Sequence, residues 1–211
     1  MIGNFLVSLF FSCQYNPGNY YSYKASDFFS LPEVEAKINI NNIDKTLLEA
    51  AIFHATNIVR KEKESALYKM APSLIEAATQ HASHLSKYSY FDHINKRDRT
   101  QRTPMLRITK AGGKFKATAE NLAKVNVFNL GEKMEYFIND KGQLTDKNGV
   151  PLNTHTYKSL AMHVVNGWMH SKGHRENILA DYNYLGCGVS DITFTRDNLP
   201  EIILIQNFGQ Q

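Results

Sequence analysis

Residues Glu201–Phe208 read EIILIQNF, a strand-length run that is apolar on both sides. Strand side chains alternate faces, so Ile202 and Leu204 share one face and Ile203 and Ile205 the other. Such a strand is central and must be covered on both sides. The chain supplies the cover as amphipathic helices. Leu47/Leu48, Ala51/Ile52, Ala55 and Ile58/Val59 recur at helical spacing. Asp44 or Thr46 can cap that helix, and Thr46-x-x-Glu49 has the capping-box form. A second helix opens at Pro72, a residue suited to the first helical position, with Leu74, Ala78, His81/Ala82 and Leu85 as its stripe. A short helix over about 103–111 stops at Gly112-Gly113. A third long helix starts near Tyr157, with Leu160/Ala161, Val164/Val165 and Trp168 inward. Gly173 is expected to interrupt it, leaving Arg175–Leu179 as a last turn. Ala119–Val127 and Gly186–Phe194 read as further strands. Helices first, then strands mixed with helices, predict an α/β (α+β) fold: a three-layer α-β-α sandwich with a mainly antiparallel central sheet.

Composition narrows the function. A chain of 211 residues is one domain with extras. Its two cysteines, Cys13 and Cys187, exclude a disulfide scaffold and a Cys-based zinc finger. No apolar run reaches the roughly 20 residues of a membrane-spanning helix. A net charge of +4 is too mild to call for nucleic acid. The charge is uneven: residues 1–126 hold 17 Lys/Arg against 11 Asp/Glu, and residues 127–211 hold 7 against 9. Between Lys96 and Lys116 stand Lys96, Arg97, Arg99, Arg102, Arg107, Lys110, Lys114 and Lys116 against Asp98 alone. That run is either a solvated loop or a patch for lipid headgroups or acidic glycans.

The ends of the chain carry their own signals. Phe5–Phe11 (FLVSLFF) followed by Ser12-Cys13 resembles a bacterial lipoprotein signal, although no Lys or Arg precedes Lys24. On that resemblance Cys13 is lipidated, membrane association runs through it, and the protein is extracellular or anchored in the cell envelope. Residues 14–43 read as an irregular leader, and 44–211 as the domain proper. Residues 128–155 look like an insertion of one or two hairpins, with turns at Asn139-Asp140-Lys141-Gly142 and Asn148-Gly149. The insertion follows the strand holding Glu120, so it is expected to flank or cover any cleft there.

A series of short motifs points to a family. In order come His54-x-x-Asn57-x-x-Arg60, Leu74-x-x-x-Ala78, Phe91-Asp92-His93, and Ala119-Glu120-Asn121-Leu122. Then follow Trp168-Met169-His170-Ser171-Lys172-Gly173-His174-Arg175-Glu176-Asn177-Ile178-Leu179, Gly186-Cys187-Gly188-Val189 and Gln206-Asn207-Phe208-Gly209. The series resembles the CAP domain (SCP or PR-1-like, the cysteine-rich secretory protein family) in its bacterial form. The resemblance implies an α-β-α sandwich on the cell surface or secreted. It also implies a cleft lined by His93, Glu120 and His174, with Ser171 at the position of a second acid in other members.

Two imidazoles and a carboxylate on one cavity suit Zn2+ or another divalent cation. A zinc held with one open position would make its water nucleophilic near neutral pH. Without metal, His93 or His174 could act as a general base oriented by Glu120. Ser171, a candidate cofactor contact, lacks the Gly-x-Ser-x-Gly surroundings of an activated nucleophile. The same residues could equally hydrogen-bond helices to the sheet around a wet cleft. The expectation is a ligand-binding or interaction module with a small apolar, glycan or protein ligand. The alternatives are a metal-assisted peptidase or cell-wall hydrolase using His93, Glu120 and His174, and a lipid- or sterol-binding protein. Of the other histidines, His81 and His84 read as core or surface imidazoles, and His155 as able to reach the cleft mouth. Cys187 reads as buried packing.

Overall fold

The computed structural model describes residues 17–130 and 135–211. Cys13 and the apolar run before it lie outside them. Helix α1 is Ala25–Phe28, α2 Lys45–Glu62, α3 Pro72–Lys87, α4 Pro104–Lys110, α5 Tyr157–His170 and α6 Lys172–Leu179. The strands are β1 Lys69–Met70, β2 Ala117–Asn126, β3 Phe137–Ile138, β4 Leu144–Thr145, β5 Tyr184–Val189, β6 Thr193–Phe194 and β7 Pro200–Gln210. The main sheet runs β1-β5-β7-β2, with β6 also on β7. All pairings in it are antiparallel except β1 with β5. The α-β-α sandwich expected from the sequence is therefore present, with β7 in the interior.

The two faces of β7 meet different helices. Ile202, Leu204 and Phe208 join α2 and α5 in the main apolar core, together with Leu185, Cys187 and Val189 of β5. Ile203 and Ile205 join Ala78, Ala82 and Leu85 of α3 and Leu122 of β2. The α3 side is closed by close backbone approach. A Cβ on Gly186 would stand 2.3 Å from the Ile75 nitrogen, and one on Gly188 would stand 2.2 Å from the Ala78 carbonyl carbon. Only glycine fits at either position.

Local signals explain the helix ends. The Asp44 carboxylate accepts from the Leu47 N–H at 3.0 Å and caps α2. Pro72 and Pro104 open α3 and α4, and Gly112, at φ +83°, ends the turn after α4. Between α5 and α6 the break falls at Ser171 (φ −95°, ψ 123°), not at Gly173. Gly173 continues α6 as a helical residue, so Lys172–Leu179 is a full helix rather than a single turn.

The leader differs from the irregular segment expected. Residues 17–35 form short helical turns packed on α2, and Phe28 and Val34 are fully buried. His54 of α2 donates Nε2–H to the Tyr20 carbonyl at 2.8 Å, and its ring stacks on Phe28 at 4.4 Å. Asn57 pairs with both backbone groups of Tyr68 at 2.9 and 3.1 Å. Arg60 donates to the carbonyls of Ala66, Ile178 and Ala180. These three α2 residues tie leader, loop and α6 to one helix.

The β3–β4 hairpin of the insertion lies beside β6 and the start of β7. Ile138 and Leu144 share a cavity of about 480 Å³ with Phe128, Phe194 and Pro200. The hydrogen bonds and cavity of the hairpin among the described residues do not involve His93, Glu120 or His174.

Candidate functional site

The site forms on β2, at one edge of the sheet. Glu120 and Leu122 alternate toward α3, while Asn121 points to the α2 face. The loop after α3 brings His93, α4 brings Arg107, and α6 brings His174. Glu120 is buried, with its side chain only 1% exposed, and both its oxygens are engaged. Oε1 accepts from His93 Nδ1 at 2.9 Å, and Oε2 accepts from Arg107 Nη2 at 2.7 Å. Asn207, opposite Glu120 in the β2–β7 register, completes the set. With its amide oriented to satisfy both ends, it donates to Oε2 at 3.2 Å and accepts from the Ala78 N–H at 3.1 Å.

Arg107 is the organising residue that sequence reasoning left in the basic run. Its guanidinium is buried and also donates to the carbonyls of His93 (3.1 Å) and Gln101 (3.1 Å). One cation thus fixes the Glu120 carboxylate and the His93 backbone together. The signal was local: Arg107 adjoins Ile108, the apolar residue that α4 turns inward. A run of cations in a sequence does not show which one faces inside.

His93 is held by its Nδ1 and half exposed, at 49% of its side chain. Its Nε2 has no hydrogen-bond partner among the described residues. The bond to Glu120 raises its pKa above the ordinary histidine value, against the opposing effect of burial. His174 shifts the other way, lowered by burial first and by the nearby His93 second. The charge on His93 is thus felt at His174.

A buried polar chain fixes α6 to the sheet. Asn177 donates to Asn121 Oδ1 at 2.8 Å, and Asn121 donates to the His174 carbonyl and to Gln206 Oε1, each at 3.1 Å. Gln206 donates to Thr56 Oγ1 at 2.7 Å. Every amide in the chain has a partner, as burial requires. Trp168 adds a bond from Nε1 to the Leu122 carbonyl at 3.1 Å. The motif residues of α6 and β7 thus fix the backbone that carries His174 to the sheet.

Other sequence candidates fall outside this cluster. The Ser171 hydroxyl makes no hydrogen bond among the described residues, and its backbone forms the bend between α5 and α6. His155 bonds Ser159 at 2.9 Å and lies 5.4 Å from the His163 ring, with no described contact to the site. Burial pushes it down to about 4. His81 is buried beneath the site, also at about 4, and donates Nε2–H to the Asp92 carbonyl. Cys187 is a fully buried free thiol whose pKa burial drives well up.

The donor set does not fit a three-ligand metal site. Among the described residues no group of three or more His, Cys, Asp or Glu side chains is placed to hold a metal ion. Glu120 shows why: its oxygens are already committed to His93 and Arg107, which leaves two imidazoles. A carboxylate bonded to the Nδ1 of a histidine fixes the ring and its tautomer. In that role Glu120 holds the half-exposed His93 ring by Nδ1, with no hydrogen bond to Nε2 among the described residues.

A large cavity lies elsewhere, between leader, α2 and the loop before β1. It measures about 1030 Å³, and Tyr21, Tyr23, Phe53, Ile58, Leu67 and Met70 supply apolar wall.

Comparison with known proteins agrees with this architecture. The chain is similar in fold to an extracellular protein containing an SCP domain from Bacillus anthracis, at 21% identity and TM-score 0.54. That match covers 79% of this chain and 41% of the Bacillus chain, so this chain spans about two fifths of its neighbour's length. Weaker likenesses are to an outer surface protein of Borrelia burgdorferi and a cysteine-rich secretory protein of Staphylococcus aureus. The Borrelia match has 20% identity, TM-score 0.48, 76% of this chain and 90% of that one. The Staphylococcus match has 16% identity, TM-score 0.46, 80% of this chain and 40% of that one. No curated protein matches the chain. The model of the cysteine-rich secretory protein (CAP) family matches residues 53–208, well over half of the sequence and all of the site, and the chain belongs to that family.

Proposed function

We propose that the chain is an extracellular or envelope-anchored ligand-binding module, and that its cleft anchors a hydrogen-bond-accepting group on His93. The observation that carries this reading is Glu120 bridging His93 Nδ1 and the buried Arg107. The bridge locks the imidazole, raises its pKa and leaves Nε2 directed away from Glu120. A protonated, half-exposed imidazole donates to carboxylate or phosphate oxygens. No Ser, Thr or Cys side chain is hydrogen-bonded to Nε2 among the described residues, which favours binding over covalent catalysis. The location rests on the secretory family, the extracellular Bacillus neighbour and the lipoprotein-like run ending at Cys13.

The test is a histidine NMR titration with inorganic phosphate and with acetate below neutral pH, beside a zinc titration by calorimetry. Saturable shifts of the His93 resonances, absent in His93→Ala, support the reading. Stoichiometric zinc binding lost in His93→Ala/His174→Ala would overturn it in favour of a metal site. Hydrolysis of peptide or cell-wall polymer abolished by His93→Ala would overturn it in favour of an enzyme.

One observation supports a second reading, that of an apolar-ligand carrier: the cavity of about 1030 Å³ under the leader. That volume is in the range of small-molecule sites. A fluorescent fatty acid that binds wild type and fails to bind Ile58→Glu would establish it. Equal binding by both proteins would remove it.

A further inference from the structure

We infer that the outer face of α4, with the loop before it, docks onto an anionic lipid bilayer. Helix α4 carries apolar side chains outward as well as inward. Arg107 and Ile108 face inward and are buried, while Met105 and Leu106 stand 36% and 42% exposed on the outside. They cannot exchange places. Ile108 is packed against Gly113, where an added Cβ would stand 2.6 Å from the Ile108 side chain, and Arg107 is bonded to Glu120. Thr103 caps the helix by accepting from the Leu106 N–H. A fixed surface helix normally turns polar residues to water, so the exposed pair calls for a partner.

The charges around the pair name the partner's sign. Arg99, Arg102, Lys110 and Lys114 are exposed on either side of it in sequence. The acids nearby are already used. Asp98 accepts from Thr100 and Gln101 and lies 4.0 Å from Lys110; Asp92 pairs with Lys96; Glu120 is buried on Arg107. Asp92 offsets Lys96 and Asp98 offsets Lys110, so the outward positive charge left in the segment is that of cations such as Arg99, Arg102, Lys114 and Lys116, which have no carboxylate partner among the described residues. A soluble polyanion would satisfy the cations and leave Met105 and Leu106 in water. A bilayer rich in anionic lipid satisfies both, with the apolar pair at the acyl boundary and the cations among headgroup phosphates. The surface is independent of any ligand at His93. It would, however, hold the cleft beside the membrane, since α4 carries Met105 outward and Arg107 inward.

The experiment is sedimentation of the full chain with phosphatidylcholine vesicles, with and without phosphatidylglycerol, at low and high salt. Cys13→Ser in every protein removes any thiol-linked lipid. Binding through the N-terminal apolar run would be common to all variants and is subtracted. The expected result is phosphatidylglycerol-dependent, salt-sensitive binding. Arg99→Gln/Arg102→Gln/Lys114→Gln should weaken it roughly 100-fold, at about fivefold per cation. Met105→Ser/Leu106→Ser should weaken it about tenfold or more, with both variants unfolding at wild-type temperature. Binding with no preference for phosphatidylglycerol, or no binding, overturns the inference. Binding unchanged by Met105→Ser/Leu106→Ser also overturns it and leaves a soluble polyanion as the partner.

Discussion

The two faces of the central sheet do different work. On the α2/α5 face one continuous apolar cluster runs from Tyr20 and Phe28 through Leu48 and Trp168 to Phe208. On the α3/α4 face the apolar residues split into two small groups, one around Ala78 and Ile205 and one around Leu74 and Ile108. Buried polar groups stand on that face: His81, Arg107, Glu120 and Asn207. Apolar burial is non-directional and tolerant, whereas each buried polar group needs a placed partner. The α2/α5 face is dominated by one continuous apolar core into which the His54, Asn57, Arg60 and Gln206 ties are set, whereas the α3/α4 face gathers its buried polar groups around His93.

Substitutions can break this contrast. Phe28→Ala on the first face should cost about 3–5 kcal/mol by urea denaturation, since its ring is fully buried. This would also show the leader to be part of the folding unit; an unchanged midpoint would make it an appendage. Arg107→Ala should cost a similar or slightly smaller amount, about 3–5 kcal/mol, because it leaves the buried Glu120 carboxylate without its guanidinium partner. The faces should then separate in a double variant. Adding Glu120→Gln to Arg107→Ala should recover part of the loss, whereas Phe28→Ala has no such compensating partner. Additive losses would refute the pairing as the source of the cost.

Much of this division was legible in the sequence. Glu201–Phe208 announced a strand covered on both sides, and Asp44, Pro72 and Gly112 marked helix ends through local chemistry alone. His93, Glu120 and His174 were found through their motifs. What remained hidden depends on direction rather than spacing. Arg107 sits among seven other cations, and only folding decides that its guanidinium turns inward. Asn207 lies 87 residues from Glu120 and meets it only through strand register. The leader, rich in Asn, Tyr and Ser, conceals Phe28 and Val34 as core residues because its turns have no repeating period. Gly173 misled in the opposite way. Glycine disfavours a helix interior by only about 1 kcal/mol, and the polar ties of Asn177 and Asn121 hold α6 through it.

pH sharpens the comparison further. Glu49 of α2 is buried and accepts from Thr79 (2.8 Å) and from the N–H of Val189 at the end of β5 (3.2 Å). Burial raises its pKa to about 7. A carboxyl with a raised folded pKa contributes most below its unfolded pKa and loses that contribution as pH rises toward 7. Wild type should therefore lose up to about 3 kcal/mol relative to Glu49→Gln between pH 4.5 and 8, at 1.36 kcal/mol per pKa unit. Parallel pH profiles for the two proteins would show Glu49 to be solvated. His93 is a smaller effect with a related sign. Its raised pKa makes its contribution full below about pH 6.5 and lost as pH rises through the folded value. His93→Ala should flatten the stability profile there. The smallest effect belongs to Ser171→Ala, within about 0.5 kcal/mol, because its hydroxyl bonds nothing described. A larger loss, or loss of ligand binding, would return Ser171 to the site.

The most direct measurement of the central claim, that Glu120 holds His93 for ligand contact, is the His93 titration by NMR in wild type and Glu120→Gln. The account predicts a wild-type pKa above the ordinary histidine value of about 6.5, falling in the variant as the ionic hydrogen bond is lost. An unshifted His93 in wild type, or one that titrates identically in Glu120→Gln, would contradict it.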